Sequence, residues 1–361
     1  MNEATNQFDP ILGIDIGGAN IKFVDTAGRC LTRVFPMWNE SEQLTEMLAQ
    51  MASEFGWEGG RVGITMTGEL ADCFETRSQG VCHIVQQAEA AFGEAKPLYY
   101  GVDGTWTEGA SVSEELSAEW LVLAASNWHA LANWAGQSLL RKEAFLLVDI
   151  GSTTVDVIPI VNGRVASESR TDKDRLLAGE LVYTGMERTP IPTIMHAVQV
   201  NEQKIPLMAE RFADSHDAYL WLGLVAEEPS SCDTADRRPR TRKHAAGRLA
   251  HLIGEDRETV DASALHAIAN QVIEAQVDKI AEAVHKVAQA NGIVGDRLRV
   301  LFSGHAAPLE SLLKQRLPIC EALFLREILG ADLSRCAPAY AIAQLLNADP
   351  SIAGPHHVAK S

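Results

Sequence analysis

The sequence predicts an α/β protein made of two duplicated halves, and three observations predict it. One short motif occurs twice, as Asp15-Ile16-Gly17-Gly18-Ala19-Asn20-Ile21-Lys22 and as Asp149-Ile150-Gly151-Ser152-Thr153-Thr154-Val155-Asp156. Each copy follows an apolar run (Ile11-Leu12-Gly13-Ile14, Phe145-Leu146-Leu147-Val148). Each then leads through a second apolar stretch to a Gly-Arg turn, Gly28-Arg29 or Gly163-Arg164. That is a strand, a tight glycine turn and a return strand, written twice. In the rest of the chain, strand-like and helix-like segments alternate, which implies sheets layered with helices. The restart at residue 145 implies duplicated architecture rather than a short-period repeat.

In chain order, residues 9–26 read as two strands around the first turn. Apolar spacing at Leu44, Met47, Leu48 and Met51 predicts a helix over 40–55. Residues 61–66 read as a strand, 67–69 as a turn, 70–92 as mixed, 97–102 as a strand and 117–140 as helix. The second half restarts with its hairpin and adds a third strand over 165–170. Loop-rich sequence at 171–200 carries Gly179, Gly185, Pro190 and Pro192. Helices are expected over 207–225, 241–253 and 263–291, a strand over 297–302 and a closing helix over 338–346. The halves divide as 1–142 and 143–361, the second holding an insertion around 171–250.

At 361 residues the chain is long enough for two domains and a large core, and 46% hydrophobic residues make it globular. A formal net charge of −17 argues against nucleic acid and anionic membranes, which repel such a surface. Six cysteines without C-x-x-C spacing read as reduced thiols of a cytoplasmic protein. Residues 1–10 lack the apolar core of a signal peptide, and no apolar run approaches the roughly 20 residues that span a bilayer. His356-His357, in a tail expected to fray, reads as a chance pair.

A glycine turn after a strand lets backbone N–H groups approach phosphate oxygens, because no Cβ intervenes. Gly17, Gly18 and Gly151 therefore read as phosphate-binding, with hydroxyls from Ser152, Thr153 and Thr154 adding donors. Asp15 and Asp149 would be repelled by phosphate, so they are expected to hold Mg²⁺, often through water. The alternative is a pair of ordinary hairpins whose aspartates cap turns. Lys22 either adds positive charge to the same pocket or points to solvent. Thr65-Met66-Thr67-Gly68-Glu69-Leu70-Ala71-Asp72 follows a strand, so Thr67 and Glu69 would project from a sheet edge. Glu69 and Asp72 would face one cleft, as general base or metal ligand, or else they are solvated loop acids.

The run Arg237-Arg238-Pro239-Arg240-Thr241-Arg242-Lys243 suits phosphate; the competing readings are a solvated loop and ion pairing with the preceding Asp233 and Asp236. Gly304, between Ser303 and His305 at a strand end, is a weak candidate for supporting an adenine or ribose. His129 and His196 stand alone and read as structural. Trp128 and Trp134, at near-helical spacing, read as core. No Walker A loop, nucleophile elbow, H-E-x-x-H or G-x-G-x-x-G pattern occurs.

The two D-I-G hairpins resemble the phosphate-binding elements of the acetate and sugar kinase, Hsp70 and actin superfamily. The resemblance implies two actin-like (ribonuclease H-like) domains with a cleft between them. The second copy is similar to the hydantoinase/oxoprolinase group. Several blocks are similar to proteins of the tetrahydromethanopterin-linked C1-transfer pathway: residues 65–72, Ser126-Asn127-Trp128, Asp149 to Asp156 with Ile158-Pro159-Ile160, Arg175-Leu176, Gly179 to Gly185, Arg188-Thr189-Pro190, and Thr234-Ala235-Asp236 with Arg248-Leu249. They run in order through most of residues 10–260. Archaeal members of that group are methanofuran-pathway synthases, which join an aminomethylfuran-methyl diphosphate to a tyramine-type phenol and release diphosphate. The resemblance implies such a transferase, with Glu69 and Asp72 as site residues and Mg²⁺ as cofactor. Its partners would be small-molecule diphosphate and phenol substrates, with a homo-oligomer possible. The Ser303-Gly304-His305 turn departs from the glycine-rich adenosine turn of the kinases, which puts ATP in doubt as a cofactor. The competing expectations are an ATP-dependent kinase or amide-cleaving enzyme of the same fold, and a non-catalytic actin-like nucleotide binder.

Overall fold

The computed structural model describes residues 10–112, 119–295 and 298–349. His356-His357, residues 1–9, Ser117 and Arg297 lie outside the described residues. The chain forms two compact units. One takes the described residues up to 144 together with 160–174 and those from 326 onward; the other takes 145–159 and 175–325.

The first unit is built on a sheet ordered β3 (Cys30–Val34), β2 (Asn20–Asp25), β1 (Ile11–Ile16), β4 (Arg61–Met66), β5 (Leu98–Tyr100), β6 (Trp106–Glu108). The hairpin strands β1, β2 and β3 pair antiparallel, and β4 runs parallel to β1 with Asp15 opposite Thr65. All six residues of β1 are buried, as expected of a central strand covered on both faces. On one face, Leu44–Phe55 and Arg77–Phe92 pack Leu48, Met51, Ile84 and Val85 against Ile14, Phe23 and Ile64. On the other lies the closing helix, Ala337–Ala348. It approaches so closely that a Cβ on Gly13 would sit 2.1 Å from the Ala339 carbonyl oxygen. The sequence reading assigned this helix to the second half. The small residues Gly13, Ala339 and Ala343 instead seat it on the first, where its alanine-rich face meets a glycine in the central strand.

The second unit is built on β7 (Ala144–Ile150), β8 (Val155–Val161), β10 (Leu181–Val182), β13 (Arg299–Gly304) and β14 (Glu321–Phe324), in the order β10-β8-β7-β13-β14. The far end of β8 (residues 160–161) and the short β9 (Arg164–Val165) that pairs with it belong to the first unit; within the second, β13 runs parallel to β7 with Ser303 opposite Asp149. A helix over Ala262–Ala290 buries Leu265, Ile268, Val272, Val277, Ile280, Val284 and Val287 at helical spacing, and Asp261 caps its N-terminus by accepting from the Ala264 amide at 2.8 Å. A separate hairpin pairs β11 (Ala197–Val200), at the end of the stretch read as loop-rich, with β12 (Gln203–Pro206), which follows that stretch. None of the described helices is long and apolar enough to cross a membrane.

Two expected helices are broken. The segment read as 117–140 divides into Glu119–Leu123 and Asn127–Ser138, because Ala125 adopts a left-handed φ of 48°. The segment read as 207–225 is helical only over Ser215–Trp221. A reciprocal capping box between Asp214 and Asp217 starts this helix, and Gly223 at φ 72° follows its end. The strand expected over 165–170 stops at Val165. Trp128 and Trp134 are core residues as read, and His129 is buried against the Tyr100 hydroxyl at 3.0 Å. Burial, reinforced by Arg170, pushes its imidazole down to about 4, so it is neutral.

Candidate phosphate-binding hairpins and a buried carboxylate

In the first unit the Gly17 amide donates to the Asn20 carbonyl at 3.0 Å, closing the turn, and the Met37 amide donates to the Gly18 carbonyl. A Cβ on Gly18 would meet nothing within 4 Å, so the tip is open. Behind it Asp15 is only 3% exposed. Its Oδ2 accepts from Lys22 Nζ at 3.2 Å, across the strand pair, while Oδ1 is buried with no hydrogen-bond partner. Lys22 therefore turns to the hairpin's own carboxylate.

Parallel pairing with β1 brings the end of β4 to this turn. The Thr67 amide donates to the Ile16 carbonyl at 2.9 Å, and Thr67 Oγ1 would lie 3.6 Å from a Cβ on Gly17. Residues Gly68–Leu70 form a tight 3₁₀ turn that places Glu69 inside the protein, 1% exposed. One carboxylate oxygen accepts from the Ala125 amide at 2.9 Å; the other, Oε2, has no partner. The left-handed Ala125 frees that amide from the helix ladder and turns it toward Glu69. Burial pushes the Glu69 carboxyl up to about 7, and Asp172 adds to this while Arg77 opposes it. Arg77 and Asp172 pair with each other at 3.2 Å. Asp72, by contrast, is exposed. The expectation that Glu69 and Asp72 project side by side from a sheet edge fails, because the 3₁₀ turn buries the first and leaves the second in water.

In the second unit the Gly151 amide donates to the Thr154 carbonyl at 2.9 Å, the same closure as in the first hairpin. Here the tip is braced. The Glu187 and Arg188 amides both donate to the Ser152 carbonyl at 3.0 Å, and the Met186 amide donates to the Gly151 carbonyl. Gly185 packs so tightly that a Cβ would stand 2.4 Å from the Thr153 nitrogen. The Gly185 carbonyl is held by Ser215 Oγ and by Nε2 of the buried Gln276, each at 2.7 Å. The Arg188 guanidinium donates twice to Thr153 Oγ1, at 3.2 and 3.0 Å. Gly304, at φ 68°, abuts Asp149: a Cβ there would lie 2.8 Å from Asp149 Oδ1 and 2.3 Å from the Ile150 carbonyl oxygen. Beside it, Ser303 Oγ is buried without a partner.

Sequence reasoning missed Arg188, Gln276 and Ala125 as parts of these sites. Arg188 is 35 positions beyond Thr153, the turn residue it contacts; Gln276 looks like one more residue of a long helix; Ala125 carries no chemical signal. Two cations of the basic run, Arg238 and Arg240, prove to be ion-paired. Arg240, 7% exposed, meets Glu187, Glu228 and Asp233 at 3.5–3.6 Å. The fully buried Arg248 binds Asp217 and Asp236, so the Thr234-Ala235-Asp236 and Arg248-Leu249 blocks meet in one structural pair.

Two sheets, each led by a D-I-G hairpin, define the class: an α/β protein of two duplicated actin-like halves. An acetone carboxylase solved in a nucleotide-free state superposes with a TM-score of 0.55 over 93% of this chain and 70% of its own, at 11% identity. The hydantoinase/oxoprolinase family pattern matches residues 61–348, and the chain belongs to that family. It is similar to the (4-{4-[2-(gamma-L-glutamylamino)ethyl]phenoxymethyl}furan-2-yl)methanamine synthase of Methanocaldococcus jannaschii, with 34% identity over 340 residues, 93% of this chain and 97% of the relative. The synthase of the same name from Methanococcus vannielii is 30% identical over 207 residues, 56% of this chain and 90% of the relative.

Proposed function

We propose that this protein is a transferase of methanofuran-type cofactor biosynthesis. It joins an aminomethylfuran-methyl diphosphate to a phenol and releases diphosphate. The observation that carries the reading is Glu69, a buried carboxyl with one unpartnered oxygen, set beside a phosphate-type glycine turn. Similarity to the named synthases over nearly the whole chain favours this reading over an ATP-dependent kinase or a non-catalytic nucleotide binder. The relatives are named for a phenoxymethyl-furan product, and its aryl–alkyl ether is the bond such a reaction makes.

In this mechanism the phenol oxygen attacks the furan-bound methylene. The bond from that carbon to the diphosphate oxygen breaks, and its electron pair leaves with the diphosphate. Glu69 Oε2 accepts the phenol proton, and a carboxyl near 7 is a far better base toward a phenol than an ordinary one. The Ala125 amide holds the other oxygen and leaves Oε2 without a competing donor. In the second hairpin the hydroxyls of Ser152, Thr153 and Thr154 donate to phosphate oxygens, and in the first the open Gly18 tip offers its backbone amide; the Gly17 and Gly151 amides close the two turns. Lys22 balances Asp15.

Among the described residues no group of three or more His, Cys, Asp or Glu is placed to hold a metal. The orphaned, buried Oδ1 of Asp15 nevertheless suits a hard cation that arrives with its phosphates and waters. Within its own hairpin each aspartate, Asp15 or Asp149, would hold such a Mg²⁺, which when bound neutralises charge developing on the leaving diphosphate. The test is incubation of the purified protein with the furan diphosphate, Mg²⁺ and a γ-glutamyltyramine-type phenol. Ether product and free diphosphate are expected in equal amounts; the absence of both would refute the proposal.

A further inference from the structure

We infer that Arg188 is a phosphate-binding residue of the second hairpin, reading a non-bridging oxygen of a diphosphate group. The inference deepens the proposed function and rests on its reading of the hairpin as a diphosphate site.

The chain carries a net charge of −17, and its buried arginines are matched to carboxylates. Arg175 pairs with Asp156, Arg240 with three acids, and Arg248 with Asp217 and Asp236. Arg188 is the exception in this region. It is half-buried, yet among the described residues no carboxylate lies within ion-pair distance of it. Its guanidinium is directed instead at a hydroxyl, Thr153 Oγ1, on the turn whose amides and hydroxyls suit phosphate. A half-desolvated cation held there without an anion is complementary to one that is supplied by a ligand.

The placement is built, not incidental. The Arg188 amide is anchored to the Ser152 carbonyl at 3.0 Å, and Gly185 is packed under the same turn with no room for a side chain. Ser215 and Gln276 fix the Gly185 carbonyl. Nε and Nη2 are engaged by one threonine oxygen, which leaves the Nη1 side of the planar fork for a second acceptor. Thr153 is thus the positioning residue, and Arg188 supplies the charge.

Inorganic diphosphate with Mg²⁺ is the probe, titrated calorimetrically into the full-length protein. Arg188→Gln is expected to weaken binding roughly 10- to 100-fold, the range for a lost hydrogen bond to a charged group. Arg188→Lys should recover part of the affinity, because it restores the charge but not the fork, and Thr153→Val should weaken binding less than Arg188→Gln. Peptide mapping after phenylglyoxal treatment of the wild type supplies a readout that needs no variant to fold: diphosphate should protect Arg188 from modification. Unchanged affinity in a folded Arg188→Gln protein, or no protection of Arg188, would overturn the inference, as would a wild type that does not bind diphosphate. Loss of diphosphate binding in Arg188→Gln combined with no ether formation by the wild type would leave Arg188 assigned and refute the transferase instead.

Discussion

The two D-I-G hairpins share a turn and differ in where their charge comes from. Both close with a glycine amide donating to a carbonyl three residues on. Seven residues after the aspartate the first has Lys22 and the second has Asp156. Lys22 reaches across the strand pair to Asp15, so the first hairpin is neutralised within itself and its tip is open. Asp156 gives the second hairpin two acids. Buried Arg175 neutralises one of them, and the turn takes its free cation, Arg188, from a distant loop that also braces it. The same backbone device is thus self-contained in one half and assembled from tertiary contacts in the other. The proposed proton acceptor follows the open hairpin: Glu69 stands on the 3₁₀ turn that continues its parallel neighbour β4.

The sharpest test of this contrast is Glu69→Gln against Asp72→Asn. Loss of a general base lowers kcat/KM by about 10²- to 10⁴-fold, and the wild-type profile should fall as pH drops through about 7, a limb absent from the glutamine variant. Asp72→Asn should behave as wild type, because that side chain is exposed. Equal losses in both variants would break the assignment.

Glu69 also makes a stability prediction of definite sign. Its carboxyl is raised in the folded state from 4.5 to about 7, so it favours folding below 4.5 and that contribution is lost as pH rises through 7. At pH 8 the wild type bears a buried charge. Glu69→Gln should then be more stable than wild type, by on the order of 3 kcal/mol if the whole shift is expressed, and by nothing at pH 4. Denaturant melts at both pH values measure this.

Arg175→Met asks whether the second hairpin needs its imported cation. Removing one partner of a buried pair costs about 3 kcal/mol, so a chemical-denaturation midpoint near wild type would show that Asp156 is solvated instead. The smallest effects separate the braced tip from the open one. Gly185→Ala should destabilise by about 1–3 kcal/mol, because backbone atoms of Thr153 and Ser152 block the new Cβ. Gly18→Ala should stay within about 0.5 kcal/mol of wild type. Equal thermal shifts for the two would erase the distinction.

Local pattern made much of this legible. β4 spans the residues 61–66 read as a strand, and the long helix Ala262–Ala290 follows its apolar stripe to within a residue. The elements misread are those where a non-local contact overrides local preference. Ala125 is a good helix former held out of a helix because its amide serves Glu69. Residues 207–214 have apolar residues enough for a helix, yet the Leu207 and Met208 amides pair with distant carbonyls of His196 and Leu252.

By itself the sequence determined the α/β class, the two hairpins and the acids and glycines within them. Strand periodicity and glycine turns are local properties, and a repeated motif is visible without a fold. Only the tertiary structure decided which of two nearby acids is buried, which half receives the closing helix and which arginine lacks a carboxylate. Burial and charge pairing depend on what the rest of the chain brings alongside, and no spacing along the sequence encodes that.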